Sequence, residues 1–374
     1  MRRLGRWWLA VFCLFGMILT IKATAQTSVP WKGKITTEGG VTVVRNPKEP
    51  IYKPGWLTIT EELSIGGEKA TSEEALSMVV DIIVGPEGRI YAAEFKTSEI
   101  KLFDKSGKFL RTFGKKGQGP GEFLQLMEMS YCRSSQELFI HDRLRGFVFD
   151  PEGNFKRSFP LPFNLISVKM DREGNLYGLD FVSGGNKART ELRFLDGRGN
   201  LGSLLARTPD YDISGENPFQ PTLIWCTGGD GAIIEGYSET YEIRIHNRRG
   251  EIIRRILKDY DPVEVTAEER GIFAKLAKES IRKTTYKFSR FHPAYISLLC
   301  DEKGWIYAGT PEKTLDGKRT IYNIFDQDGR YQGDAAWSGW AALIRDEKLY
   351  TGEEDAGGYP VIKRYALTWR NHIR

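Results

Sequence analysis

Short apolar runs alternate with tight-turn signals along most of the chain, and one stretch shows the unit in full. Val79 to Phe113 reads VVDIIVGPEGRIYAAEFKTSEIKLFDKSGKFLRTF. It predicts four strands: VVDIIV, RIYAAE, EIKLFD and KFLRTF. Their β-branched and alternating apolar residues suit a pleated, half-buried surface. The Pro-Glu-Gly and Lys-Ser-Gly breaks suit hairpin turns. These strands are named a to d in chain order.

The unit repeats. The apolar pair that opens strand b falls at Ile90-Tyr91, Leu138-Phe139, Leu176-Tyr177, Ile233-Ile234, Ile306-Tyr307 and Leu349-Tyr350. The c–d turn recurs as Phe103-Asp104-x-x-Gly107, Phe149-Asp150-x-x-Gly153, Leu195-Asp196-x-x-Gly199, His246-Asn247-x-x-Gly250 and Phe325-Asp326-x-x-Gly329. Its Gly supplies a positive φ, and its Asp or Asn can bond its own backbone. The strand-b pairs lie 48, 38, 57, 73 and 43 residues apart, the length of a four-stranded propeller blade stretched by insertions.

The sixth unit, near Ala341 to Trp369, ends after strand c. Leu57 to Gly67 (LTITEELSIGG) has strand-d character, and Leu63-Ser64-Ile65-Gly66 matches Arg111-Thr112-Phe113-Gly114. The expected fold is therefore all-β: a six-bladed β-propeller of four-stranded blades, its ring closed by this N-terminal strand. Two segments stand outside the repeat. Residues 26–55 form an extension with a hairpin at Gly39-Gly40. Residues 259–292 form an insertion, in which Thr266 and Glu269 make a capping box. Ile272, Phe273, Leu276, Ala277 and Ile281 then share one helical face, predicting a helix from Thr266 to Arg282 packed over the ring. The propeller itself spans 56–374.

Residues 1–25 read differently. Arg2, Arg3 and Arg6 precede an uncharged run from Trp7 to Ile21, and Ala23-Thr24-Ala25 follows. This is the pattern of a secretory signal peptide. The run is short of the ~20 apolar residues that span a bilayer. Cys13 follows Phe12, not the small residue a lipid anchor wants. A secreted protein, periplasmic or extracellular, is expected, with no transmembrane segment in the mature chain.

Composition changes the picture in two places. The chain of 374 residues has a formal charge of +5, but Arg2, Arg3, Arg6 and Lys22 supply four of its basic residues. Without them the balance is +1, so no basic stripe remains for phosphates, and nucleic acid is excluded as the expected partner. Three cysteines remain beyond the leader: Cys132, Cys226 and Cys300. Cys132 and Cys300 lie six places before Leu138 and Ile306, in blades 2 and 5 on opposite sides of the ring. Cys226 lies seven before Ile233, which turns it to the other face of its sheet. Three unpaired, buried thiols are expected. With His141, His246, His292 and His372 the only histidines, no multi-His metal site is expected.

The run from Phe103 to Gly114, continuing through Gly117-Gln118-Gly119-Pro120-Gly121-Glu122-Phe123, resembles NHL-repeat propellers. The whole mature chain is similar to the bacterial secreted six-bladed propellers of that kind. The resemblance implies architecture more than activity. Related propellers include protein-interaction scaffolds, and also calcium-dependent lactonases and an amidating lyase that place catalytic groups at the central channel.

The a–b and c–d turns are short, and the b–c and d–a loops are long. Long loops gather on functional faces, so the b–c/d–a face and its channel mouth are the expected ligand site. The last residue of strand b gives an aligned collar: Glu94, Asp142, Asp180, Tyr237, Thr310 and Glu353. Arg143 and Arg145 lie in the blade 2 loop, within reach of Asp142. One reading of the collar is a site for a cation, Ca²⁺ being the ion that favours oxygen ligands, or for a basic ligand. The other is that each carboxylate bonds N–H groups of its own b–c loop. No cofactor is expected on the second reading. His141 and Asp142 are strand neighbours pointing to opposite faces, so they form no dyad. Gly117 to Gly121 lacks the strand–loop–helix context of a phosphate loop. Trp31, Trp56, Trp225, Trp305, Trp337, Trp340 and Trp369 are read mostly as inter-blade core, with sugar stacking as the alternative.

These features point to a monomeric extracytoplasmic binding or protein-interaction module with a protein or carbohydrate ligand. The alternatives are a calcium-dependent lyase or lactonase at the channel mouth and a polysaccharide-binding protein.

Overall fold

The computed structural model describes residues 30–229, 231–279 and 285–370. The expected signal peptide, with Cys13, and Ile281, Arg282 and His372 lie outside them.

Six sheets, each built on four antiparallel strands, form a ring. Blade 1 comprises Val79–Val84, Ile90–Glu94, Glu99–Phe103 and Phe109–Phe113. Blade 2 follows with Leu126–Cys132, Glu137–Asp142, Arg145–Phe149 and Phe155–Pro160, and blade 3 with Leu165–Met170, Leu176–Gly184, Lys187–Leu195 and Leu201–Arg207. Blade 4 holds Leu223–Thr227, Ile233–Tyr237, Glu242–His246 and Ile252–Lys258. Blade 5 holds Ser297–Cys300, Ile306–Lys313, Thr320–Phe325 and Tyr331–Trp337. Blade 6 is Trp340–Arg345, Lys348–Glu354 and Pro360–Trp369, completed by Leu57–Gly66 from the other end of the sequence. Strand a is innermost: those of blades 1 and 2, 2 and 3, 4 and 5, 5 and 6, and 6 and 1 touch each other.

The recurring c–d glycine has two causes, and the structure shows both. Gly107, Gly153, Gly199, Gly250 and Gly329 have φ between 82° and 86°. In each turn the Asp or Asn three places before the Gly accepts N–H groups two and four residues ahead of it, as Asp104 does from Ser106 (2.8 Å) and Lys108 (3.0 Å). A Cβ at these positions would also strike the outer strand of the preceding blade or the residue that follows it. It would come within 2.5 Å of Phe113 at Gly153, 2.7 Å of Leu205 at Gly250 and 2.7 Å of Ile256 at Gly329. The turn is thus a packing element between blades as well as a bend.

The core lies between blades. Tyr91, Phe113, Phe123, Leu138 and Phe149 fill the junction of blades 1 and 2. Trp56, Trp305, Trp337 and Leu349 fill that of 5 and 6.

Two features depart from the sequence pattern. The hairpin at Gly39-Gly40 forms, as Lys34–Glu38 with Val41–Asn46, but it is not free-standing. Val41–Asn46 runs parallel to strand d of blade 4, making a six-stranded sheet. The inserted helix runs Ala267–Glu279, its start closed by the expected Thr266–Glu269 box (N–H to carboxylate 2.8 Å, returned N–H to hydroxyl 3.2 Å). It does not press its whole apolar face onto the ring. Phe273 packs on Phe219 and Tyr286, while Ile272 and Leu276 stay about half exposed. Among the described residues no helix is long and apolar enough to cross a membrane.

Candidate functional site

Strands a and b are antiparallel, so the end of b lies beside the start of a. Val79 pairs with Glu94 and Leu126 with Asp142. This geometry decides what the collar carboxylates do. Glu94, 1% exposed, accepts N–H bonds from Ser77 (3.0 Å) and Met78 (3.2 Å) and the Ser77 hydroxyl. Asp142, fully buried, accepts those of Leu124 and Gln125, both at 2.8 Å. The partners are therefore not the residues' own b–c loops, as the sequence suggested. They are the d–a crossovers that deliver strand a, because the antiparallel pairing brings those amides alongside.

The other collar positions are occupied differently. Asp180 is buried with one carboxylate oxygen unpartnered. Burial, and then Glu191 opposite it in the sheet, pushes its pKa up. Thr310 donates to the Ile321 carbonyl at 3.0 Å. Glu353 accepts from Thr351 (2.6 Å) and the Tyr365 hydroxyl (2.7 Å). Tyr237 is half-buried. Arg145 reaches Asp142 (3.4 Å) and the carbonyls of Gln118 and Glu122, clamping the Gly-rich crossover. Arg143 turns away and lies over the Phe163 ring, 5.0 Å from its centre. Among the described residues no group of three or more His, Cys, Asp and Glu side chains is placed to hold a metal ion.

What the collar does not offer, the crossovers do. Met78, Leu124, Phe163, Ile166, Ile296 and Trp340 precede or begin strand a in blades 1, 2, 3, 3, 5 and 6, and all are 37–64% exposed. Two hollows form among them. One of about 420 Å³ is lined by Met78, Trp340, Glu353, Pro360 and Val361. Another of about 250 Å³ is lined by Met127, Arg143, Phe163, Ile166 and Phe181. Trp340 is the one exposed residue of the seven tryptophans considered; Trp56, Trp225, Trp305 and Trp337 are core. Sequence reasoning missed this ring of apolar residues. Its signal was present as an apolar residue at the end of five of the six crossovers, where the strand pattern resumes.

The opposite mouth, at the a–b turns, is a cavity of about 210 Å³ walled by all six inner strands. Arg133, Arg172 and Arg345 stand at its rim. Burial first, then Arg133, depresses the Arg345 pKa. Deeper in, Asp81 accepts the Met129 N–H at 2.6 Å, tying blade 1 to blade 2. Glu128 accepts the Val168 N–H (3.0 Å) and the Ser167 hydroxyl (2.7 Å), tying blade 2 to blade 3. Lys169 stands 3.8 Å from Glu128. Burial works against its charge, but Glu128 and Asp81 outweigh it and hold its pKa high. Burial drives the Asp81 pKa up to about 7 against the pull of Lys169. His141 is fully buried with both ring nitrogens unpartnered, and forms no dyad with Asp142.

The three cysteines are free thiols, as expected, but only Cys132 is fully buried, and the expected separation of Cys226 from Cys300 is overturned. The Cys226 and Cys300 sulfurs are 2.8 Å apart. Neighbouring blades meet through opposite sheet faces, so the odd offset of Cys226 is what turns it toward Cys300. Cys132 is buried apart, beside Ser134.

Residues 70–207 match the model of a family described as a 6-bladed beta-propeller. A Bacteroides fragilis protein thought to be exported superposes with a TM-score of 0.56 at 10% identity, over 87% of this chain and 99% of that one. A Bacteroides vulgatus protein superposes at 0.53 and 12% identity, over 85% and 100%. The virginiamycin B lyase of Staphylococcus aureus reaches 0.43 at 10% identity, over 83% and 100%. At these identities the likeness to the two Bacteroides proteins is one of fold. No curated protein matches the chain.

Proposed function

We propose that the protein is an extracytoplasmic binding module that takes an apolar, extended polypeptide segment across the b–c/d–a mouth of the channel. The observation that carries this reading is the ring of exposed apolar side chains. Five of six blades expose one or two, each within two residues of the start of strand a. Large exposed apolar patches on a soluble fold mark sites of association. Met78 and Trp340 line one hollow and Phe163 and Ile166 the other, and each takes a side chain of ordinary size. The collar beneath supports the fold of the crossovers and leaves the apolar rim as the contact surface. The leader and the likeness to a Bacteroides protein thought to be exported support a secreted location, periplasmic or extracellular.

The test is selection from a displayed random-peptide library on the wild-type protein and on a Phe163→Ser/Trp340→Ser variant, with a glycan array in parallel. The expected result is enrichment of aromatic and aliphatic peptides that the variant no longer binds. Glycan binding without peptide enrichment, or peptide binding that the variant retains, overturns the proposal.

A further inference from the structure

We infer that Cys226 and Cys300 are an oxidisable pair that closes a disulfide between blades 4 and 5. Both are free thiols in the structure, on the inner strands of adjacent blades. Their sulfurs, 2.8 Å apart, are within ~0.8 Å of the S–S bond length. Both side chains pack against the same inter-blade cluster, which includes Ile234, Leu298 and Ile306, so the fold itself holds them facing each other.

The place is also meaningful. Blades 4 and 5 are separated by the long insertion, and their strand-b pairs lie 73 residues apart, the widest gap in the repeat. A covalent bond here fastens the junction that the sequence connects least directly. The site is reachable as well, because Cys300 lines the cavity behind the arginine rim. Cys226, by hydrogen bonding, and then burial push the Cys300 thiol up, while Lys169 favours its thiolate. Cys300 is also 3.0 Å from the Thr227 carbonyl.

Oxidation requires a disulfide-bearing oxidant. One thiolate of the pair attacks a sulfur of the oxidant, forming a mixed disulfide and releasing one thiolate of the oxidant. The second cysteine then attacks the protein-side sulfur, releases the other oxidant thiolate and closes the Cys226–Cys300 bond. Two protein thiols are oxidised, one oxidant disulfide is reduced to two thiols, and the two protons pass to the leaving thiolates.

The test treats the reduced full-length protein with bis(2-hydroxyethyl) disulfide, a small neutral oxidant. Free thiols are then alkylated under denaturing conditions and the peptides mapped. The Cys226 and Cys300 peptides should be linked while Cys132 is alkylated. The oxidised protein should melt at a higher temperature than the reduced one, and a Cys226→Ser/Cys300→Ser variant should show no such difference. In Cys226→Ser alone, Cys300 should be trapped as a mixed disulfide with mercaptoethanol. Alkylation of both Cys226 and Cys300 after oxidation of protein with native circular dichroism overturns the inference. So does a link from either one to Cys132 or to a second chain.

Discussion

Ile65 lies directly opposite Ile362 across the seam that closes the ring, and both are at most 3% exposed. They pack with Ile82, Ile90 and Phe103 of blade 1, so the seam is also a core between blades 6 and 1. Ile65→Ala should cost about 2–5 kcal/mol, because a buried side chain is lost at a junction that cannot collapse without opening the ring. Urea unfolding would measure it. A loss below about 1 kcal/mol would mean the seam is not a cooperative part of the fold.

Asn46 fastens the N-terminal hairpin. It is 3% exposed, donates to the carbonyls of Leu257 (3.2 Å) and Gly329 (2.9 Å), and accepts from the Tyr331 N–H (2.8 Å). Asn46→Ala leaves several buried backbone groups without a partner, each worth roughly 1–3 kcal/mol. The expected loss is about 2–4 kcal/mol in urea unfolding, with increased hydrogen exchange along Val41–Asn46. Unchanged exchange in that strand would show that the parallel pairing alone holds it.

The contrast between these two residues shows what the sequence carried. Ile65 was legible because a blade is a repeat, and Leu63-Ser64-Ile65-Gly66 repeats the end of strand d. Asn46 was not, because the parallel pairing of its strand with blade 4 belongs to no repeat and has no local signal. The collar was legible as an aligned series but not in its bonding, since Glu94 and Asp142 find partners some 17 residues back along the chain. The meeting of Cys226 with Cys300 depends on which sheet faces adjoin between blades. Strand periodicity gives the face a side chain takes, but not what stands opposite.

Asp81 should make stability depend on pH. Its folded pKa is about 7 against an ordinary 3.8, chiefly through burial. A raised pKa means the folded state holds the proton more tightly. The associated stability is complete below about pH 3.8 and is lost as pH rises through about 7. The stability of the wild type relative to Asp81→Asn should therefore fall from pH 4 to pH 8. Melting temperatures across that range would show it, and a constant difference would place the titration elsewhere.

Asp142 tests the collar. Asp142→Ala strips the Leu124 and Gln125 amides of their acceptor and should cost about 2–4 kcal/mol. Addition of EGTA to the wild type should leave the melting temperature unchanged, since these oxygens are already satisfied by backbone donors. A drop on chelation that Ca²⁺ restores, and that Glu94→Gln abolishes, would establish a cation at the mouth.

His141 gives a prediction of the opposite sign. It is fully buried, neither ring nitrogen has a partner, and burial lowers its pKa below the ordinary 6.5. A buried polar ring without hydrogen bonds contributes packing and carries an uncompensated desolvation cost. Replacing it with an apolar side chain of similar size removes that cost and breaks no bond. His141→Leu should therefore be neutral or more stable by up to about 1 kcal/mol at pH 8. Its advantage should grow in acid. A depressed histidine pKa contributes stability that is present above about 6.5 and lost as pH falls through the folded value, because the unfolded chain takes up the proton first. The wild type should lose melting temperature between pH 7 and pH 5 faster than His141→Leu does. A marked loss of stability in the variant at pH 8 would mean that His141 has a polar partner, such as an ordered water bridging to the adjoining blade.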